Sequence, residues 1–97
     1  MPISSETSGG VCTIKVAGRF DFSCRAEFKN CYKDVPGGTS FIVDFDAVEY
    51  VDSSALGMLL LLRDAAGKQG TVTIVNSRGQ PDQVLRIANF HRIFSFN

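Results

Sequence analysis

Two adjacent hydroxyls, Ser53 and Ser54, follow Asp52 and precede the apolar run from Ala55 to Leu62. A hydroxyl in such a place can serve as a nucleophile, accept a phosphoryl group or cap a helix. Nucleophilic catalysis needs a base. No GxSxG elbow surrounds either serine, and the single histidine, His91, lies near the C-terminus between Phe90 and Arg92. A phosphate-cradling loop is also missing, because Gly67-Lys68 is followed by Gln69 and sits at a helix end rather than after a strand. Cys12, Cys24 and Cys31 form no CxxC pair and, with one histidine, supply no ligand spacing for zinc; they read as reduced packing thiols. The expectation is a chain with no catalytic residue, metal or cofactor. Asp44, Asp46, Glu49 and Asp52 read as a carboxylate cluster around one strand-to-helix junction. Such a cluster can be solvated loop and capping residues, or a functional surface beside the two hydroxyls.

The elements that must position these residues follow from periodicity. Val11-Cys12-Thr13-Ile14-Lys15-Val16 alternates between Gly9-Gly10 and Gly18 and reads as a strand, with Ile3 to Thr7 as its hairpin partner. From Phe22 to Val35, the residues Cys24, Phe28, Cys31, Tyr32 and Val35 share one helical face, leaving Arg25, Lys29 and Lys33 toward water. Asp21 or Ser23 can cap the start of that helix, and Pro36-Gly37-Gly38 ends it. Phe41-Ile42-Val43 reads as a central strand, with Asp44 and Asp46 at its end. Asp52-Ser53-Ser54 is a helix-start signal, because a short side-chain oxygen accepts bonds from the first free amides. The spacing predicts a helix from about Ser54 to Ala66, apolar on most sides and largely buried, stopped by Gly67 or Gly70. Thr71 to Val75 alternates as a further strand. Pro81 suits the first turn of a helix reaching about Ala88, and Phe90, Ile93, Phe94 and Phe96 suggest a final strand. The order is β(β)αβαβαβ, which favours an α/β fold with a mixed, largely parallel sheet of four or five strands packed against helices.

Ninety-seven residues, 44% of them hydrophobic, suffice for one domain spanning 1–97 with a single core. Ten Lys plus Arg balance ten Asp plus Glu, so no overall field draws the chain to nucleic acid or an acidic membrane. The opening Met1 to Glu6 lacks a basic start followed by an apolar stretch, and the Ala55–Leu62 run is far below the roughly 18 residues that span a bilayer. A soluble, cytoplasmic protein is expected.

Val51-Asp52-Ser53-Ser54-Ala55-Leu56-Gly57, preceded by Phe41-Ile42-Val43-Asp44-Phe45, closely resembles the signature of the STAS family of bacterial anti-sigma factor antagonists. Gly18-Arg19-Phe20-Asp21 matches the family's Gly-x-Leu/Phe-Asp turn, and the likeness covers essentially the whole chain. Ala55 stands where the family usually has Gly, a change that a helix tolerates. The sequence given stops at Asn97, before the C-terminal helix that many members carry. The resemblance implies the STAS fold and partner switching. The unphosphorylated domain would bind an anti-sigma factor that is also a serine kinase and free a sigma factor, phosphorylation would reverse this, and a serine phosphatase would reset it. The implied phosphorylation site is Ser53, with Ser54 as second choice. Asp21, Asp52, Ser53, Ser54, Ala55 and Leu56 would form the partner-binding surface. A second implied role is that of a STAS subunit buttressing a transport complex without being phosphorylated.

Overall fold

Gly9 and Gly10 both take positive φ, 58° and 79°, which is the backbone a two-residue turn between twisted antiparallel strands requires. They join β1 (Ile3–Ser8) to β2 (Val11–Phe20), with Ile3 opposite Val16 and Ser8 opposite Val11. The computed structural model describes residues 3–97; Met1 and Pro2, which open the segment read as lacking a secretory signal, lie outside them.

Thereafter helices and strands alternate as α1 (Arg25–Asn30), β3 (Ser40–Val51), α2 (Ser53–Ala66), β4 (Val72–Val75), α3 (Gly79–Ile87) and β5 (Ser95–Phe96). The strands form one sheet in the order β1-β2-β3-β4-β5, antiparallel only between β1 and β2. Because the parallel strands follow in sequence order, right-handed crossovers bring all three helices to the same face. The strand patterns agree: Cys12, Ile14, Val16, Phe41, Val43, Phe45, Val72 and Ile74 are buried, while Thr13, Ile42, Asp44, Thr73 and Val75 on the other face are partly exposed. The result is a two-layer slab of 32 × 30 × 19 Å.

Four features depart from the sequence reading. The expected helix from Phe22 to Val35 is a 3-10 turn at Phe22–Cys24, the six-residue α1 and a series of turns. Bonds from Cys31 N to Phe28 O, Tyr32 N to Lys29 O and Val35 N to Tyr32 O tighten its end ahead of Pro36, yet Cys24, Phe28 and Tyr32 still face inward. α2 has the expected extent but is less buried than expected: Ala55, Met58, Leu59, Leu62 and Ala66 make the inner stripe, while Leu60 and Leu61 are 41% and 56% exposed. A helix in an outer layer has one covered side. The final strand is only Ser95–Phe96. Phe90 and Phe94 instead belong to a turn that follows Asn89, at φ 63°, and their rings stack at 5.0 Å. Their four-residue separation fits a turn better than a strand.

The carboxylate cluster is also dispersed, because Phe41 to Val51 is one continuous twelve-residue strand together with Ser40. Asp44 accepts from Asn76 Nδ2 at 2.9 Å and Asp46 from Arg78 at 2.8 Å, so both fasten the loop after β4. They lie roughly 15 Å or more from Asp52 along the bulged strand, and Glu49 is exposed on it in between. Only Asp52 stands at the junction itself.

Candidate functional site

β2 and β3 run parallel with Phe20 paired to Val51, so the residues that follow them, Asp21 and Asp52, leave the carboxyl edge of the sheet side by side. Each carboxylate turns to cap what comes next. Asp21 Oδ1 accepts from the Ser23 amide at 3.0 Å and from the Ser23 hydroxyl at 2.6 Å. Asp52 Oδ1 accepts from the amides of Ser54 at 2.9 Å and Ala55 at 3.2 Å, closing the start of α2. With Asp52 as the cap, Ser53 is the first helical residue and is exposed to solvent. Its hydroxyl is not needed for capping.

The remaining expected site residues descend into the fold. Ser54 is half-buried, Ala55 is fully buried and gives its amide to the Asp52 cap, and Leu56 is half-buried against the core. Asp21, Asp52, Ser53 and Ser54 therefore lie together at the carboxyl edge of the sheet.

Ser23 is the main reason that the Asp21 carboxyl is held below the ordinary aspartate range, first through its hydroxyl and then through its amide. Desolvation opposes this, and Arg19, whose Nε lies 3.5 Å from Asp21 Oδ2, adds to the lowering. Arg19 is fixed in turn over the Tyr50 ring at 4.1 Å. With the folded pKa below the unfolded one, Asp21's contribution to stability is complete above about pH 3.9 and fades as pH falls through the lower folded value. Ser23→Ala should move the Asp21 midpoint upward in a carboxyl-carbon NMR titration. An unmoved midpoint would show that the hydroxyl bond is not made in solution.

A residue that the sequence did not single out ties this edge together. The side-chain amide of Gln80, near the start of α3, accepts from Val51 N at 3.0 Å and donates to Val51 O at 3.0 Å. β4 has ended at Val75, so this amide supplies to β3 what a neighbouring strand would otherwise give. Val51 immediately precedes Asp52. No local pattern announces a contact across 29 residues. Gln80→Leu should cost about 1–3 kcal/mol by leaving two buried main-chain groups without partners. Gln80→Glu should recover in acid, where the protonated carboxyl again both donates and accepts. Chemical denaturation at pH 4 and pH 7 separates the variants.

The other titratable groups lie elsewhere. His91 is exposed. Cys12 and Cys24 are buried free thiols, and Cys31 is half-buried, its thiol pushed up by burial while it donates to Glu27 O at 3.3 Å. Among the described residues no three His, Cys, Asp or Glu side chains converge as metal ligands, and no helix is long and apolar enough to cross a membrane.

The family model for the STAS domain matches residues 2–97. The chain belongs to the STAS domain family. A STAS-domain containing protein of Pseudomonas aeruginosa is 38% identical over 94 residues, covering 95% of this chain and 93% of that one. Among solved structures, an anti-sigma factor antagonist from Mycobacterium paratuberculosis superposes with a TM-score of 0.80 at 21% identity, covering 97% of this chain and 82% of that one. The anti-sigma factor antagonist SpoIIAA in its unphosphorylated form gives 0.69 at 18% identity, with 98% and 86% covered. A sulfate transporter family protein from Wolinella succinogenes gives 0.76 at 16%, with 94% and 80% covered. At these identities the solved structures establish the STAS fold, with its five-stranded, mostly parallel sheet and three helices.

Proposed function

We propose that this STAS domain is an anti-sigma factor antagonist whose Ser53 is the switch. The unmodified form binds an anti-sigma factor that doubles as a serine kinase and so frees a sigma factor. Phosphorylation of Ser53 ends that binding, and a serine phosphatase restores it. The observation that carries this reading is the exposed Ser53 at the first position of α2, next to the capping carboxylate of Asp52 and beside Asp21. Its likeness in fold to solved anti-sigma factor antagonists supports the same reading.

The chemistry is that of a docking surface rather than a catalyst, and it takes place in the cytoplasm without a cofactor, nucleic acid or membrane. Asp21, Asp52, Ser53, Ser54 and Leu56 face or border the partner, while Ala55 holds the helix start in place from below. A phosphate on Ser53 carries about 1.5 to 2 negative charges and meets the positive end of the α2 dipole, so the fold survives the modification. A partner pocket shaped for a hydroxyl must instead desolvate a dianion beside two carboxylates.

The sulfate transporter neighbour favours a second reading, in which the domain buttresses a transport complex and is not modified. Recovery of the tagged protein from its native cell, with mass spectrometry of its partner and of the Ser53 peptide, separates the two. A kinase-like partner together with phosphate on Ser53 supports the switch; transporter subunits and an unmodified Ser53 peptide would overturn it.

A further inference from the structure

Next to Asp21, the outer side of the segment from Phe22 through α1 to Lys33 carries an aromatic ring and a row of cations. Cys24, Phe28 and Tyr32 point into the core, which leaves Arg25, Lys29 and Lys33, each four residues apart, on the outside. Phe22 and Ala26 form a second row beside them, and the two rows line one groove. Phe22 is 63% exposed, with the Arg25 guanidinium 5.4 Å from its ring centre.

A row of cations is often only a solvated face, but two features set this one apart. No carboxylate lines the groove in a chain whose charges balance at ten and ten, and among the described residues none of the three cations enters an ion pair. Glu27, the one acid of α1, is turned away, with its Oε2 buried. A large exposed ring at one end also has no role in holding the fold, whereas aromatic and arginine side chains together are what protein interfaces favour.

We propose that this groove docks an extended acidic segment of a partner protein, with one apolar side chain of that segment covering Phe22. Residues four apart on a helix are about 6 Å apart along its axis. Alternate residues of an extended chain are separated by about 6.7 Å. A segment with an acid at every second position thus matches Arg25 and Lys29 on α1 in register, and runs on toward Lys33 in the turns that follow it. That this partner is the protein docking at Ser53 rests on the function proposed above; the acidic character of what fits the groove does not. If the two sites serve one partner, a phosphate on Ser53 has the same charge sign as the segment docked alongside it.

The test is an NMR titration of the whole protein with a capped peptide made of one leucine followed by alternating glutamate and serine. Amide shifts should concentrate at residues 22–33, and affinity should fall as salt rises. Arg25→Glu with Lys29→Glu should weaken binding at least about tenfold. Phe22→Ala, at an exposed position that spares the fold, should weaken it several-fold without changing the salt dependence. Shifts confined to other surfaces, or an affinity indifferent to the charge reversals, would overturn the proposal. So would tighter binding to phosphatidylglycerol vesicles or to an oligothymidylate, either of which would assign the groove to a different class of partner. Because the peptide carries no kinase, its failure to bind removes the groove and leaves the Ser53 switch standing. A native partner indifferent to Ser53→Glu removes the switch and leaves the groove.

Discussion

Ser53→Glu is expected to bind the anti-sigma factor roughly a hundred- to several-thousand-fold more weakly than the unmodified protein, equivalent to about 3–5 kcal/mol, with an unchanged circular dichroism spectrum. The two halves of this result have different origins. The spectrum is preserved because the first position of α2 already favours negative charge, and because Asp52 retains its bonds to Ser54 N and Ala55 N whatever occupies position 53. Affinity is lost because the new charge must enter an interface that already contains Asp52 and Asp21. Arg19 offsets part of the Asp21 charge, but at 3.5 Å and with most of its side chain in water this exposed pair leaves the edge acidic. Ser53→Ala should bind whether or not the kinase is supplied with ATP. Calorimetry with the purified partner measures both variants. Affinity for Ser53→Glu equal to that of the unmodified protein would contradict the mechanism, and phosphate found on Ser53→Ala would move the switch to Ser54.

Phe20→Ala should be among the most damaging single changes for stability, at about 3–5 kcal/mol. The Phe20 ring is fully buried, 5.1 Å from Phe28 and 5.9 Å from Phe45, so its removal leaves a void between β2, α1 and β3. For a chain of this length such a loss lowers the melting temperature by roughly 12 °C or more. Thermal unfolding checks it. A melting temperature within a few degrees of the unmodified protein would mean that the surrounding rings collapse into the void. The contrast with Phe22, two residues later and largely exposed, separates stability from binding within one short segment.

The same contrast marks what could be read from the residues. Alternation placed β2 and β4, and helical spacing placed the inward residues of α1, because each reflects one side meeting the core. Asp52 and Ser53 were legible because a helix start has a local chemistry. Length was less legible: β3 continues through Ala47 and Glu49, which break the apolar alternation at its register shifts, so the acids along it looked like a single cluster. The apolar sides of α2 pointed to a largely buried helix because composition does not reveal that the sheet has helices on one face only, which leaves Leu60 and Leu61 exposed. Gln80 was not legible at all, since its partner lies 29 residues away and is main chain.

That amide also makes the turn between β4 and α3 a ruler. Residues 76–79 set how far around the axis of α3 its second residue points, and an α-helix turns by about 100° per residue. Inserting or deleting a single residue there would present Pro81 or Gly79 to Val51, and neither has an amide side chain to offer. Natural variation in the length of this turn should therefore travel with a change at the amide position, a pairing that could be found by comparing sequences without any experiment on the protein.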